Sequence, residues 1–163
     1  MLNITFKKIN FIGAFLSFLL ISIAIVLQIV YELEPCPLCI TQRIIFIITG
    51  ILFLFFYFIK PSKFVKLTHL TSLLITNIAG VVFSIRHIFI QNNWVTVPAE
   101  CGIDLDYMFE NFPLTEAFNL LFIGAGDCSE IDWTFFGITL PQLALIWYLF
   151  FIILTIFIYR RVN

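Results

Sequence analysis

Four long apolar segments constrain this 163-residue chain more than any other feature of its sequence. They cover about residues 11–31, 40–59, 67–90 and 141–159, and each is near the roughly 20 residues that an α-helix needs to cross a bilayer. Hydrophobic residues make up 61% of the chain and charged residues only 12%, which is unlike a soluble domain. The sequence therefore predicts an all-α membrane protein: a single domain over residues 1–163, folded as a four-transmembrane-helix bundle.

The charges are segregated between the two sides of this topology. Seven of the nine basic residues lie before the first segment, between the second and third, or after the fourth: Lys7, Lys8, Lys60, Lys63, Lys66, Arg160 and Arg161. All ten acidic residues lie in the other two connections, about residues 32–39 and 92–140. The positive-inside rule then places both termini in the cytoplasm and both of these loops outside. A net charge of −1 gives no general attraction to nucleic acid.

The first outer loop carries a Cys-x-x-Cys pair, Cys36 and Cys39, at the entrance to the second segment. Cysteines at this spacing can close a small, easily reduced disulfide. Pro37 suits the first position of a helix, so Cys39 falls in the first turn, where the helix dipole favours a thiolate. Arg43 lies four residues further on, on the same helix face, and adds a fixed positive charge. The pattern favours redox chemistry, although a structural disulfide at a membrane edge has the same spacing.

The second outer loop carries Cys101 and Cys128, at a spacing that does not resemble a tight redox turn. A disulfide closing a loop of this length contributes on the order of 3 kcal/mol by restricting the unfolded chain. The pair could therefore be a structural disulfide or could exchange disulfides with other cysteines, and the sequence of this loop does not decide between the two roles. Residues 114–122 between the two cysteines predict a short interfacial helix, and the tryptophans of the chain suit interfacial anchors.

The third segment is the most polar of the four and carries His87 and Gln91 near its outer end. His87 is expected at the same membrane depth as Cys39 and Arg43, and Gln91 follows one helical turn later on the same face. A lone interfacial histidine that serves only as a hydrogen-bonded packing residue is the alternative. Arg86 lies at this depth too and is given no role.

Together these features resemble the DsbB family of bacterial membrane disulfide-formation proteins, over nearly the whole chain. The features that carry the resemblance are the four spans, the stretch Pro35-Cys36-Pro37-Leu38-Cys39-Ile40, Arg43, Gly126-Asp127-Cys128, Trp133, Gly137 and Pro141-Gln142. The resemblance implies a protein of the bacterial inner membrane whose cysteine loops lie in the periplasm.

The resemblance further implies a thiol:quinone oxidoreductase. A periplasmic thioredoxin-fold partner, DsbA-like, would form a mixed disulfide with Cys101 of the Cys101–Cys128 pair. Cys128 would then exchange with Cys36 of the Cys36–Cys39 pair, and Cys39 would meet a membrane quinone, either ubiquinone or menaquinone. The quinone-neighbouring residues of the family would correspond to Arg43 and His87, with Gln91 a further candidate.

Four other interpretations compete with this one. The chain could be a DsbB paralogue that serves one dedicated partner thiol oxidase. A non-enzymatic membrane scaffold with two structural disulfides is the alternative from a different class of protein. A protein similar to vitamin K epoxide reductase shares the chemistry, but there the loop pair precedes the Cys-x-x-Cys. A zinc site using all four cysteines fits the usual ligand spacing poorly, so no metal is expected.

Overall fold

A computed structural model describes residues 2–95, 126–129, 131 and 133–162 of the chain. Four long helices account for most of these residues: α1 (Leu2–Tyr31), α2 (Pro37–Phe58), α3 (Lys63–Gln91) and α4 (Leu140–Val162). A short 3₁₀ turn covers Gly126–Ser129, and β1 (Thr134–Phe135) pairs antiparallel with β2 (Ile138–Thr139) just before α4. All four helices are long and apolar enough to cross a membrane. The predicted four-helix membrane fold is therefore confirmed.

The helices form a closed bundle in which each helix packs on its neighbours in chain order, and α1 also contacts α4. Their up-and-down order brings the end of α1, the start of α2, the end of α3 and the start of α4 to one end of the bundle. We call this the cysteine end, because Cys36, Cys39 and Cys128 lie there. The predicted interfacial helix over 114–122 and Cys101 fall outside the described residues.

Aromatic side chains fill the centre of the bundle. The Phe46 ring stacks on the Tyr148 ring with centroids 4.2 Å apart, and Phe53 and Phe151 extend the same cluster. Gly80 of α3 lies directly against the Tyr148 ring, so close that a Cβ atom there would be 2.5–2.6 Å from three ring atoms. Small residues permit this close helix approach, which is a common way to pack helices in a membrane. Gly80 therefore fixes the distance between α3 and α4.

Buried polar residues link the helices at several depths. The Nε2 atom of His69 is 2.8 Å from Oδ1 of Asn10, which joins α3 to α1 at the end opposite the cysteine end. Ser17 of α1 donates a hydrogen bond to the carbonyl of Phe46 on α2. Because a polar group without a partner is costly in an apolar interior, these contacts favour one pairing of the helices.

Candidate functional site

The cysteine pair lies at the start of α2. Cys36 is the N-cap residue of α2, in extended conformation, and its side chain makes no capping hydrogen bond. Pro37 begins the helix, as predicted, and Cys39 falls in the first turn. Cys36 and Cys39 are both free thiols. The sulfur of Cys36 is thus left available to groups outside its own helix.

Cys36 meets residues from two other elements at the cysteine end. Its Sγ atom is 3.7 Å from Nε2 of His87 on α3. The Sγ atom of Cys128, in the 3₁₀ turn, completes a group in which all three ligand-type atoms lie within 4.8 Å of one another. Leu38 and Ile90 pack around this group and all five side chains are buried. We call Cys36, His87 and Cys128 the sulfur–imidazole cluster.

The environment of Cys36 favours its protonated form. Hydrogen bonding with Cys128 lowers the pKa of the Cys36 thiol, whereas hydrogen bonding with Cys39, burial and the charge of Cys39 raise it. The net result is a pKa raised above the usual range of a thiol. Cys36 is therefore better suited to be the sulfur that is attacked in an exchange reaction than to be the attacking thiolate.

Gln42 connects the cluster to the rest of α2. Its side-chain amide lies 3.5 Å from Nδ1 of His87, the ring nitrogen that faces away from Cys36. Its backbone carbonyl accepts a 2.7 Å hydrogen bond from the hydroxyl of Tyr148 on α4. Gln42 was not among the predicted site residues. The sequence feature that could have indicated Gln42 is a polar residue within an apolar span, about one helical turn after Cys39 and next to Arg43.

A cavity of about 480 Å³ opens on the other side of the cysteine pair. Its walls are mostly apolar side chains from α1, α4 and the β1–β2 hairpin, and Cys39, Gln42 and Arg43 contribute polar atoms from α2. The lining residues are Leu20, Ile21, Ile23, Ala24, Leu27, Leu33, Glu34, Pro35, Cys39, Gln42, Arg43, Phe46, Trp133, Phe135, Leu140, Leu143, Ala144 and Trp147. Its volume and its few convergent polar groups are typical of a small-molecule site.

Arg43 is half-buried in the wall of this cavity. Its Nη1 atom donates a hydrogen bond to the side-chain oxygen of Gln28 on α1. This contact orients the guanidinium group without neutralising it, because the amide carries no charge. The cavity thus contains a thiol from the first turn of a helix and a fixed cation one turn further along that helix.

The other predicted site residues lie elsewhere. Among the described residues, the cavity lining does not include His87 or Gln91: His87 contacts Cys36, and Gln91 is the half-buried last residue of α3. Cys101 lies outside the described residues. Arg86 is half-buried on α3. The structure thus brings Cys36, His87 and Cys128 together, and separately brings Cys39 and Arg43 to the cavity.

Comparison with known proteins gives a consistent result. The family described as "Disulfide bond formation protein DsbB" matches residues 6–158 of the chain. This chain belongs to the DsbB family. Similar proteins include Disulfide bond formation protein B of Methylobacillus flagellatus, 48% identical over 136 residues that make up 83% of this chain and 82% of that protein. The proteins of the same name from Nitrosococcus oceani and Psychrobacter sp. are 36% and 34% identical, covering 91% and 98% of this chain and 88% and 94% of their own lengths.

No solved structure matches the chain significantly. Family membership and the four apolar helices identify a multi-pass membrane protein of disulfide bond formation, with the oxidoreductase character that this implies.

Proposed function

We propose that this DsbB-family protein is a thiol:quinone oxidoreductase of the bacterial inner membrane. It reoxidises the dithiol of a DsbA-like periplasmic thioredoxin-fold protein through Cys101 and Cys128, then through Cys36 and Cys39, and passes the electrons to a membrane quinone. One observation carries the proposal: Cys39 and Arg43 line the same apolar cavity, while Cys36 contacts Cys128 on the other side. A path for electrons from a loop cysteine to a lipid-soluble oxidant needs both contacts.

The sulfur–imidazole cluster supports exchange between the two cysteine pairs. When Cys36 and Cys39 are joined as a disulfide, the thiolate of Cys128 attacks the sulfur of Cys36. The Cys36–Cys128 bond forms, the Cys36–Cys39 bond breaks, and the electron pair leaves on Cys39 as a thiolate. His87 is the ring base whose nitrogen lies within 4.8 Å of both attacking and attacked sulfurs, so it can take the proton of Cys128. Gln42 holds that ring in place through Nδ1.

Cys39 is placed to leave as a thiolate. It lies in the first turn of α2, where free backbone N–H groups and the helix dipole favour negative charge. Arg43 adds a formal positive charge from the same helix face and the same cavity wall. The same guanidinium also stabilises negative charge that develops on an oxygen atom within the cavity.

The cavity fits a quinone head group by its chemistry. Its walls are apolar, its volume is about 480 Å³, and it lies at the end of membrane-spanning helices. Cys39 and Arg43 would hold the reacting end, and the apolar residues of α1 and α4 would hold the remainder. Bound there, a quinone supplies a two-electron acceptor that takes two protons as it becomes a quinol. Ubiquinone and menaquinone both meet this description.

The charge distribution supports the orientation of the reaction. The Lys and Arg residues at the ends of the bundle opposite the cysteine end favour cytoplasmic termini by the positive-inside rule. Both cysteine loops would then lie in the periplasm, where the partner dithiol would be found and where disulfides persist.

The test is quinone consumption by the full-length protein in liposomes. A reduced DsbA-like dithiol oxidase is added with ubiquinone or menaquinone, and quinone loss is followed by absorbance alongside the partner's thiol content. We expect one quinone reduced for each partner disulfide formed. Oxidation of the partner without quinone loss would overturn the proposal.

Two variants assign the roles within this assay. Cys39→Ser should abolish quinone reduction, and Arg43→Gln should lower kcat/KM for quinone by about 10²-fold, the lower range for loss of one stabilising donor. Arg86→Gln, which removes a positive charge on α3 that does not line the cavity, is the matched control and should act like the parent. Equal quinone kinetics in Arg43→Gln and the parent would refute the assigned role of Arg43.

A further inference from the structure

The sulfur–imidazole cluster has the donor set of a metal site. Cys36 is contributed by the N-cap of α2, His87 by α3 and Cys128 by the 3₁₀ turn, so three separate elements converge on one point. The two sulfur atoms and a ring nitrogen lie within 4.8 Å of one another, and each residue is at most 8% exposed. Two thiolates and one imidazole bind zinc in known catalytic sites, which keep a fourth position open.

The spacing of the three atoms suits a tetrahedral cation. Zinc–sulfur and zinc–nitrogen bonds of about 2.3 and 2.0–2.1 Å place neighbouring ligand atoms about 3.5–3.8 Å apart. The Cys36 sulfur and His87 Nε2 are already 3.7 Å apart. The third ligand needs to move inward by at most about 1.3 Å to reach this separation, because the whole group fits within 4.8 Å.

The surroundings of His87 also match a metal ligand. Metal-binding histidines usually hold their second ring nitrogen by a hydrogen bond, which leaves the other nitrogen for the metal. The amide nitrogen of Gln42 lies 3.5 Å from Nδ1, on the side away from the two sulfurs. Rotation of this amide by 180° exchanges its nitrogen and oxygen positions. The oxygen then accepts a hydrogen bond from Nδ1–H, and the Nε2 lone pair faces Cys36.

We propose that the reduced protein binds a thiophilic divalent cation, Zn²⁺ in the first instance, between Cys36, His87 and Cys128. Binding releases the two thiol protons, and two thiolates then balance the two positive charges of the ion. The buried site therefore gains no net charge, which avoids the cost of an isolated buried ion. No electron is transferred in this step.

The effect on activity rests on the function proposed above. A bound cation occupies both sulfurs of the exchange step and holds the protein in its reduced form. The binding itself does not depend on that function. Sequence spacing could not indicate this site, because its ligands are distant along the chain and only one comes from the Cys-x-x-Cys pair.

The experiment uses tag-free, full-length protein in mild detergent, with a phosphine reductant and neither quinone nor partner. The background variant carries Cys39→Ser and Cys101→Ser, so that Cys36 and Cys128 are the only two thiols of the chain. Co²⁺ is titrated as a spectroscopic substitute for Zn²⁺. We expect one Co²⁺ per chain, with thiolate-to-cobalt charge-transfer bands and the visible bands of tetrahedral cobalt, and full displacement by Zn²⁺.

Further substitutions in this background test each ligand. Cys36→Ser or Cys128→Ser should abolish tight binding, and both His87→Ala and the more conservative His87→Gln should weaken it at least 10- to 100-fold, since loss of an outer-shell partner alone has that effect. Gln91→Ala, one turn beyond His87, is the matched control and should bind like the background. Helical circular dichroism establishes that each variant is folded.

Two results would overturn the inference. One is the absence of charge-transfer bands in the folded background variant. The other is binding that survives Cys36→Ser, Cys128→Ser or both His87 substitutions at undiminished affinity, which would place the cation elsewhere. Quinone reduction by the parent protein is measured separately, so failure here leaves the proposed function standing.

Discussion

Substitution of Gly80 by alanine tests whether close packing of α3 on α4 positions the site. The new Cβ would be 2.5–2.6 Å from three atoms of the Tyr148 ring, about 0.9 Å short of ordinary contact at 3.4 Å. The ring cannot retreat freely, because it stacks on Phe46 with centroids 4.2 Å apart and its hydroxyl bonds to the carbonyl of Gln42. Overpacking typically costs about 1–3 kcal/mol, and a contact this short against a ring held on two sides falls in the upper part of that range, about 2–3 kcal/mol. Helix propensity offsets about 1 kcal/mol of this cost.

We therefore expect Gly80→Ala to destabilise the protein by about 1–2 kcal/mol. For a chain of this length that corresponds to a fall of about 2–8 °C in the midpoint of thermal unfolding. Tyr148→Phe, which removes only the hydrogen bond to Gln42, should cost about 1 kcal/mol. The measurement is thermal unfolding in mild detergent, followed by circular dichroism.

Gly50→Ala is the matched control on α2. Its Cβ would meet the edge of the Phe18 ring at 3.1–3.2 Å and Ser17 at 3.3 Å, so a shift of a few tenths of an ångström suffices. We expect a midpoint within about 2 °C of the parent, because the propensity gain offsets a small strain. Equal stability of Gly80→Ala and the parent, or a larger loss in Gly50→Ala, would refute this packing argument.

Three further predictions follow from buried polar contacts. Asn10→Leu leaves the His69 ring nitrogen buried without its 2.8 Å partner, so unfolding stability should fall by about 1–3 kcal/mol; an unchanged unfolding midpoint would contradict this. Gln42→Leu removes the amide beside His87 and should slow rapid-quench disulfide exchange between the two loops about fivefold, the equivalent of about 1 kcal/mol; parent-like rates would exclude the positioning role. The raised pKa of Cys36 lowers its thiolate fraction at a given pH. Alkylation of Cys36 by iodoacetamide, followed by mass spectrometry, should therefore begin at a higher pH in the folded protein than in the denatured chain. Coincident pH profiles for the two states would contradict this.

The helices were predictable because long apolar runs leave the chain few alternatives in a membrane. The second span, predicted over 40–59, is a helix from Pro37 to Phe58, and Pro37 marks its start as its fixed backbone geometry suggests. Hydropathy indicates the part of a helix that lies in the membrane interior and does not locate the helix ends. The predicted start of α1 at residue 11 was therefore too late, since the helix begins at Leu2. The start of α3 at Lys63 had a local signal: the Ser62 hydroxyl accepts a hydrogen bond from the backbone N–H of Val65.

The part of the site that lies within one helix was also accessible from sequence. Cys39 and Arg43 are one turn apart on α2, so their shared face follows from helix geometry. The contact of His87 with Cys36 depends instead on how α2 and α3 pack, which spacing alone does not determine. The β1–β2 hairpin gave little signal, because its turn places a non-glycine residue, Phe136, at a φ of 51°. Trp133, expected as an interfacial anchor, lines the cavity beside this hairpin.

The most direct test of the central claim is to locate the quinone. A photoreactive quinone is cross-linked to the full-length protein in liposomes, and the labelled residues are identified by mass spectrometry. The cavity predicts labels on residues 20–27 of α1, 39–46 of α2 and 140–147 of α4, competed away by unmodified quinone. Labels concentrated instead on the end of α3, around His87 and Gln91, would contradict a quinone site formed by Cys39 and Arg43.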